Sequence, residues 1–246
     1  MVYIKINVPQ EVAEGIRASR VSSRNLAALI KTYYTSQQIT SAQGGVIDSV
    51  PADNGAVRTQ EGWIPYFNQQ RKRMISAPDV YWIGQNGTPE LVQSIRDDFE
   101  KSWLVTSTRE TYNPNTLDAR ITHNHGSTIV QPTKKTVLVP VYHQALLDDV
   151  LKEEDGVAYL RIKLGTNDSP EKIRETLTAL SGKSANLIYV WTPDQKSRAN
   201  YPKRAAVFGF DDDGFHVIGD DGVDGNDCLS RGVDVKSAKP TRKTKK

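Results

Sequence analysis

The sequence predicts an α+β fold, and three observations point there. Helical and strand-like patterns come in separate runs rather than in strict alternation, which disfavours a doubly wound sheet. Short apolar runs are joined by turn residues, as in RAAVFGF-DDDG-FHVIG, so mainly antiparallel strands are expected. The chain opens with a strand-helix-helix pattern followed by a long mixed segment. Four regions follow from this: a module over 1–38, a linker or long loop over 39–62, an α+β domain over 63–235 and a disordered basic tail over 236–246.

In order along the chain, VYIKINV (2–8) alternates, with Val2, Ile4, Ile6 and Val8 on one side and Tyr3, Lys5 and Asn7 on the other. QEVAEGIRAS reads as a short helix. Ser22 or Ser23 can cap a second, in which Leu26, Leu29, Ile30 and Tyr33 form one stripe. Residues 39–62 show no apolar period, and 63–87 are irregular but aromatic. PELVQSIRDDFEKSW (89–103) is a helix with Leu91, Ile95 and Phe99 inward. LVTST (104–108) is a strand. LDARITH (117–123) and STIVQP (127–132) are expected to pair through a turn at 124–126, before a further strand at TVLVPVY (136–142). HQALLDDVLKEE (143–154) reads as a helix, GVAYLRIKLG (156–165) fits helix or strand, and SPEKIRETLTALSG (169–182) is a helix stopped by Gly182. NLIYVWT (186–192) is a buried strand, and GVDV (232–235) is a last short one.

Composition excludes some classes. No run reaches the roughly 20 apolar residues of a membrane span, and the N-terminus lacks a signal-peptide pattern, so a cytoplasmic protein without a membrane partner is expected. The single Cys228 gives no internal disulfide and reads as a passive thiol. The net charge of +3 hides an asymmetry. The last eleven residues, KSAKPTRKTKK, carry six cations, among them Lys243, Lys245 and Lys246. Taking those six from 32 Lys and Arg leaves 26 against 29 acidic residues, a body of −3. Such a tail suits electrostatic contact with nucleic acid.

The candidate chemical motifs mostly dissolve on inspection. His123 and His125 stand at i and i+2 at a strand end, a spacing that puts two metal ligands on one face and suggests a small metal-dependent hydrolase. No third ligand follows in the spacing of cupins or metallo-β-lactamase-like hydrolases, and HNHG is also good turn chemistry. SGKS (181–184) lacks the first glycine of a P-loop and follows a helix instead of a strand, so ATP use is not supported. Asp220, Asp221, Asp224 and Asp227 could offer oxygen ligands, but no EF-hand frame holds them. WTPDQKSRANYPKR (191–204) mixes Trp191 and Tyr201 with Lys196, Arg198, Lys203 and Arg204, and QQRKRM (69–74) is a second basic cluster.

The order VYIKINV, Pro9, QEVAEGIRAS and SSRNLAALIKTYYTS resembles the ribbon-helix-helix DNA-binding module. The resemblance covers residues 2–38. It implies a homodimer whose two strands form a ribbon in the major groove, with Tyr3, Lys5 and Asn7 facing bases and Ser22 and Ser23 meeting phosphate. The expectation is therefore a non-enzymatic protein associated with DNA or RNA and needing no cofactor. A metal hydrolase using His123 and His125, and a protein-interaction or viral structural component, are the alternatives.

Overall fold

The computed structural model describes residues 45–222 and 228–235. The chain divides into two compact units, Met1–Gln38 and Ile39–Lys246, and every described residue belongs to the second. The strand-helix-helix segment with Tyr3, Lys5, Asn7, Ser22 and Ser23, the tail with Lys243, Lys245 and Lys246, and the side chains of Asp220 to Asp227 lie outside the described residues.

The second unit is α+β. Its elements are β1 (Val46–Ile47), α1 (Gln60–Gln69), β2 (Arg73–Met74), α2 (Ala77–Asn86), α3 (Pro89–Lys101), β3 (Leu104–Tyr112), β4 (Asp118–His123), β5 (Thr133–Leu138), β6 (Ala145–Leu146), α4 (Leu147–Val150), α5 (Glu154–Leu164), α6 (Pro170–Ser181), β7 (Ile188–Trp191), α7 (Gln195–Asn200), β8 (Lys203–Asp211), β9 (Gly214–Gly222) and β10 (Gly232–Asp234). A seven-stranded sheet runs β5-β4-β3-β8-β9-β7-β6, and a three-stranded one β1-β10-β2. All pairs are antiparallel except β7 with β9.

Local chemistry explains the clearest elements. Thr88 caps α3 by accepting the Leu91 N–H, Pro89 takes the first turn, and Leu91, Ile95 and Phe99 are buried four residues apart. Ser169 and Pro170 start α6 in the same way, and Gly182 ends it at φ 69°. Asp211 and Gly214 close the β8–β9 hairpin around Asp212 and Asp213.

Four expectations change. Residues 63–87 form α1 and α2 instead of an irregular stretch. The 39–62 segment carries β1, which pairs with β10, a short 3-10 turn at Asp53–Gly55 and the start of α1. Residues 127–132 are not the partner of β4, which pairs instead with β5, His123 opposite Thr133. The side chain of Asn68 on α1 holds the Gly126 carbonyl and the Thr128 N–H, so backbone groups that a strand would offer to β4 are used elsewhere. Residues 143–154 are not one helix: Ala145 and Leu146 pair with β7, and only α4 and the first residue of α5 are helical.

Alternation assigns the two faces of the large sheet. Ala206, Phe208, Phe215, Val217, Ile188, Val190 and Ile121 point inward and form one core with α2, α3, α5 and α6. Val105, Ala205 and Val207 point to the other, outer face and are covered by Trp63, Ile64 and Phe67 of α1. Between Val105 and Arg109 the ladder bulges. Gln60 satisfies the bulge by donating to the Thr106 and Thr108 carbonyls at 2.6 and 3.1 Å. No helix among the described residues is long and apolar enough to cross a membrane.

Candidate nucleic-acid interface

Strand register places exposed cations together on the outer face. One row across four strands reads Thr136 (β5), Arg120 (β4), Thr111 (β3) and Lys203 (β8). The next row reads Lys134, Thr122, Arg109 and Ala205. Arg120, Lys134, Thr136 and Lys203 are exposed. At a strand spacing of about 4.8 Å the block is about 14 Å wide. Arg109 is spent locally: it donates to Gln60 Oε1 at 2.7 and 2.9 Å and bridges Glu61 at 2.7 Å. The α1 helix covers the middle of β3 and β8, including Ala205 and Arg109 of the second row, and leaves Arg120, Lys134, Thr136 and Lys203 exposed.

His125 belongs to this face. Its backbone N–H bonds the Ser107 carbonyl at 2.9 Å. Partial burial lowers its pKa, with Arg109, Lys134 and Lys203 pushing the same way and Glu61 opposing. His123 lies on the inner face. Asn124 between them sits at φ 54° and turns the chain, so strand alternation does not extend to His125.

Both ring nitrogens of His123 are engaged. Nε2 lies 3.0 Å from the Ile162 carbonyl, which can only accept, so Nε2 carries the proton. Thr108 Oγ1 accepts the Ala77 N–H at 3.0 Å and donates to Nδ1 at 3.0 Å. The neutral tautomer is thus fixed from both sides, and burial lowers the pKa. The structure does not assemble His123 and His125 as a ligand pair. Among the described residues no group of three His, Cys, Asp or Glu could hold a metal ion.

The other singled-out residues separate in the same way. Lys72 bridges Asp48 at 2.7 Å, and Arg73 is buried against Asp79 at 2.5 Å, so the 69–74 cluster is largely neutralised. In 191–204, Arg198 is buried and donates to the Pro193 and Pro140 carbonyls, while Lys196, Tyr201 and Lys203 remain exposed. Cys228 is buried, and its carbonyl accepts the Trp63 indole N–H.

The densest set of titratable groups is enclosed. Lys163 Nζ lies 2.7 Å from Glu110 Oε1, both side chains fully buried. Tyr112 and Tyr159 also donate to Glu110, at 2.7 and 3.1 Å, and the Arg198 guanidinium lies 4.8 Å from the Tyr112 ring centre. Burial pushes both phenols well up, and the adjacent carboxylate adds to it. With no route for a ligand and its charges paired, this network holds β3 to α5. A surface cleft of about 740 Å³ lies where α2, α3 and α6 meet, but Arg96 beside it is engaged with the Ala179 and Leu180 carbonyls of α6.

Of Arg120 and Lys134, only Arg120 carries a local signal in the sequence. Alternation in DARITH does put Arg120 on the polar side. Lys134 joins it only through the β4–β5 register, which the local pattern misplaces. Compared with protein-family models, curated proteins and solved structures, the chain finds no match.

Proposed function

We propose that this protein associates with nucleic acid through the outer face of its large sheet, as a binding protein rather than a catalyst. The observation that carries the reading is the block of Arg120, Lys134 and Lys203, exposed on one face across four strands and interleaved with half-buried Thr111 and exposed Thr136. Cations supply phosphate contacts, and hydroxyls add hydrogen-bond donors to the same oxygens. The six-cation tail works in the same direction. The body's net −3 makes the placement of this block more telling than the total charge.

The test reverses the block in the full chain. Arg120→Glu, Lys134→Glu and Lys203→Glu together should weaken binding to a fluorescent oligonucleotide by on the order of tenfold or more at moderate salt. Deleting 236–246 should leave block-dependent binding in place. Unchanged binding in the triple variant, with all affinity lost on deletion of the tail, contradicts the proposal.

A further inference from the structure

We infer that Glu61 is a built-in competitor for phosphate on this face: its carboxylate occupies Arg109, and its displacement makes Arg109 a further phosphate contact. The inference rests on the nucleic-acid reading above and adds a contact residue and the group that controls it.

Arg109 is aimed before any ligand arrives. Its Nε and Nη2 donate to Gln60 Oε1 at 2.9 and 2.7 Å. Gln60 is itself locked, since its amide Nε2 donates to the Thr106 and Thr108 carbonyls. A guanidinium held in one direction loses little freedom when it binds an oxyanion. Arg109 stands in the row with Thr122 and Lys134, two residues along β3 from the row with Thr111, Arg120 and Lys203.

Glu61 is the part of the cover over Arg109 that can leave. Nη2 also donates to Glu61 Oε1 at 2.7 Å, yet the two side chains differ in burial: Arg109 is 6% exposed and Glu61 50%. The α1 helix is anchored by buried Gln60, Trp63, Ile64 and Phe67, so Glu61 can swing into water without unpacking it. An ion pair with one half-exposed partner contributes little to stability, and a phosphate oxygen accepts from a guanidinium as a carboxylate does. The surrounding charge favours the exchange. Arg109, Lys134 and Lys203 all act on the His125 ring, and Glu61 opposes them there. A phosphate in place of the Glu61 carboxylate stands within electrostatic reach of the same cations, and the displaced acid returns to solvent.

Full-length wild type, Glu61→Gln and Glu171→Gln would be titrated by fluorescence anisotropy against a labelled oligothymidine across a salt series. Glu61→Gln keeps an oxygen acceptor for Arg109 and removes the charge. Glu171→Gln is the control, because it removes an exposed first-turn glutamate from α6, in the helical layer against the inner face. At about 50 mM salt Glu61→Gln should bind about threefold more tightly than wild type or better, and the slope of log K against log salt should steepen by about 0.7, one added phosphate contact. Glu171→Gln should match wild type in both. The double variant Glu61→Gln, Arg109→Gln should lose the gain, with thermal melting showing that it is folded; the slope and the control test the inference even if it is not. A Glu61→Gln variant that binds like wild type or more weakly, an equal gain in Glu171→Gln, or a gain that survives in a folded double variant overturns the inference but not nucleic-acid association. Absence of binding by wild type and Glu61→Gln alike at the lowest salt overturns both.

Discussion

Replacing Lys163 by methionine should strongly destabilise the described fold. The Lys163 ammonium and the Glu110 carboxylate meet at 2.7 Å with no solvent exposure on either side. Methionine keeps the stem but leaves Glu110 with two phenol donors and no cation in direct contact. Breaking a buried pair from one side costs about 3–5 kcal/mol. At about 2–4 °C per kcal/mol for a chain of this size, the melting temperature should fall by about 6–20 °C. Calorimetry and urea unfolding would read both. The double variant Glu110→Gln, Lys163→Met removes both charges and should recover a large part of the loss, giving a coupling energy above about 1 kcal/mol. A single variant within about 1 kcal/mol of wild type, or a double variant as unstable as the two singles added, would refute the reasoning.

Two further outcomes follow from the same core. Gly219→Ala should destabilise by about 2 kcal/mol or more, because the added methyl would stand 2.6 Å from the Tyr159 hydroxyl and 2.7 Å from the Glu110 carboxylate; a melting temperature equal to wild type would contradict this. His123 and His125 both have pKa values lowered by burial, so the unfolded chain takes up protons first as pH falls. Stability should be complete above about pH 6.5 and decline below it, and the urea midpoint at pH 5 should be lower than at pH 7.5. A midpoint that rises on acidification over that interval would reverse the sign.

What the sequence makes legible here is what short-range chemistry decides. The helices α3 and α6 carry their caps, prolines and apolar stripes within one segment, and the β8–β9 hairpin carries its own turn. The pairing of β4 was not legible, because the loop after it is held by Asn68, more than fifty residues earlier in the chain. The break at 143–154 has the same origin, since Leu146 is drawn into the sheet by Tyr189. His123 invites a metal reading because a sequence cannot show that Thr108 and Ile162 already occupy its two nitrogens. The basic block is a register effect: Arg120, Lys134 and Lys203 are up to 83 residues apart in sequence and meet only when three strand pairings are in place.

The most direct measurement of the central claim is the salt dependence of oligonucleotide binding by full-length wild type and by the triple variant Arg120→Ala, Lys134→Ala, Lys203→Ala. Each phosphate contact on a single strand contributes about 0.7 to the slope of log K against log salt. Losing three contacts should therefore reduce the slope by about 2, which is about 16-fold in the affinity lost between 50 and 200 mM salt. These residues are exposed, so unfolding should be close to unchanged. A slope lower by about 2 in a variant that melts like wild type places phosphate on the outer sheet face. An identical slope contradicts the account and leaves the tail or the 2–38 segment as the carrier of any binding.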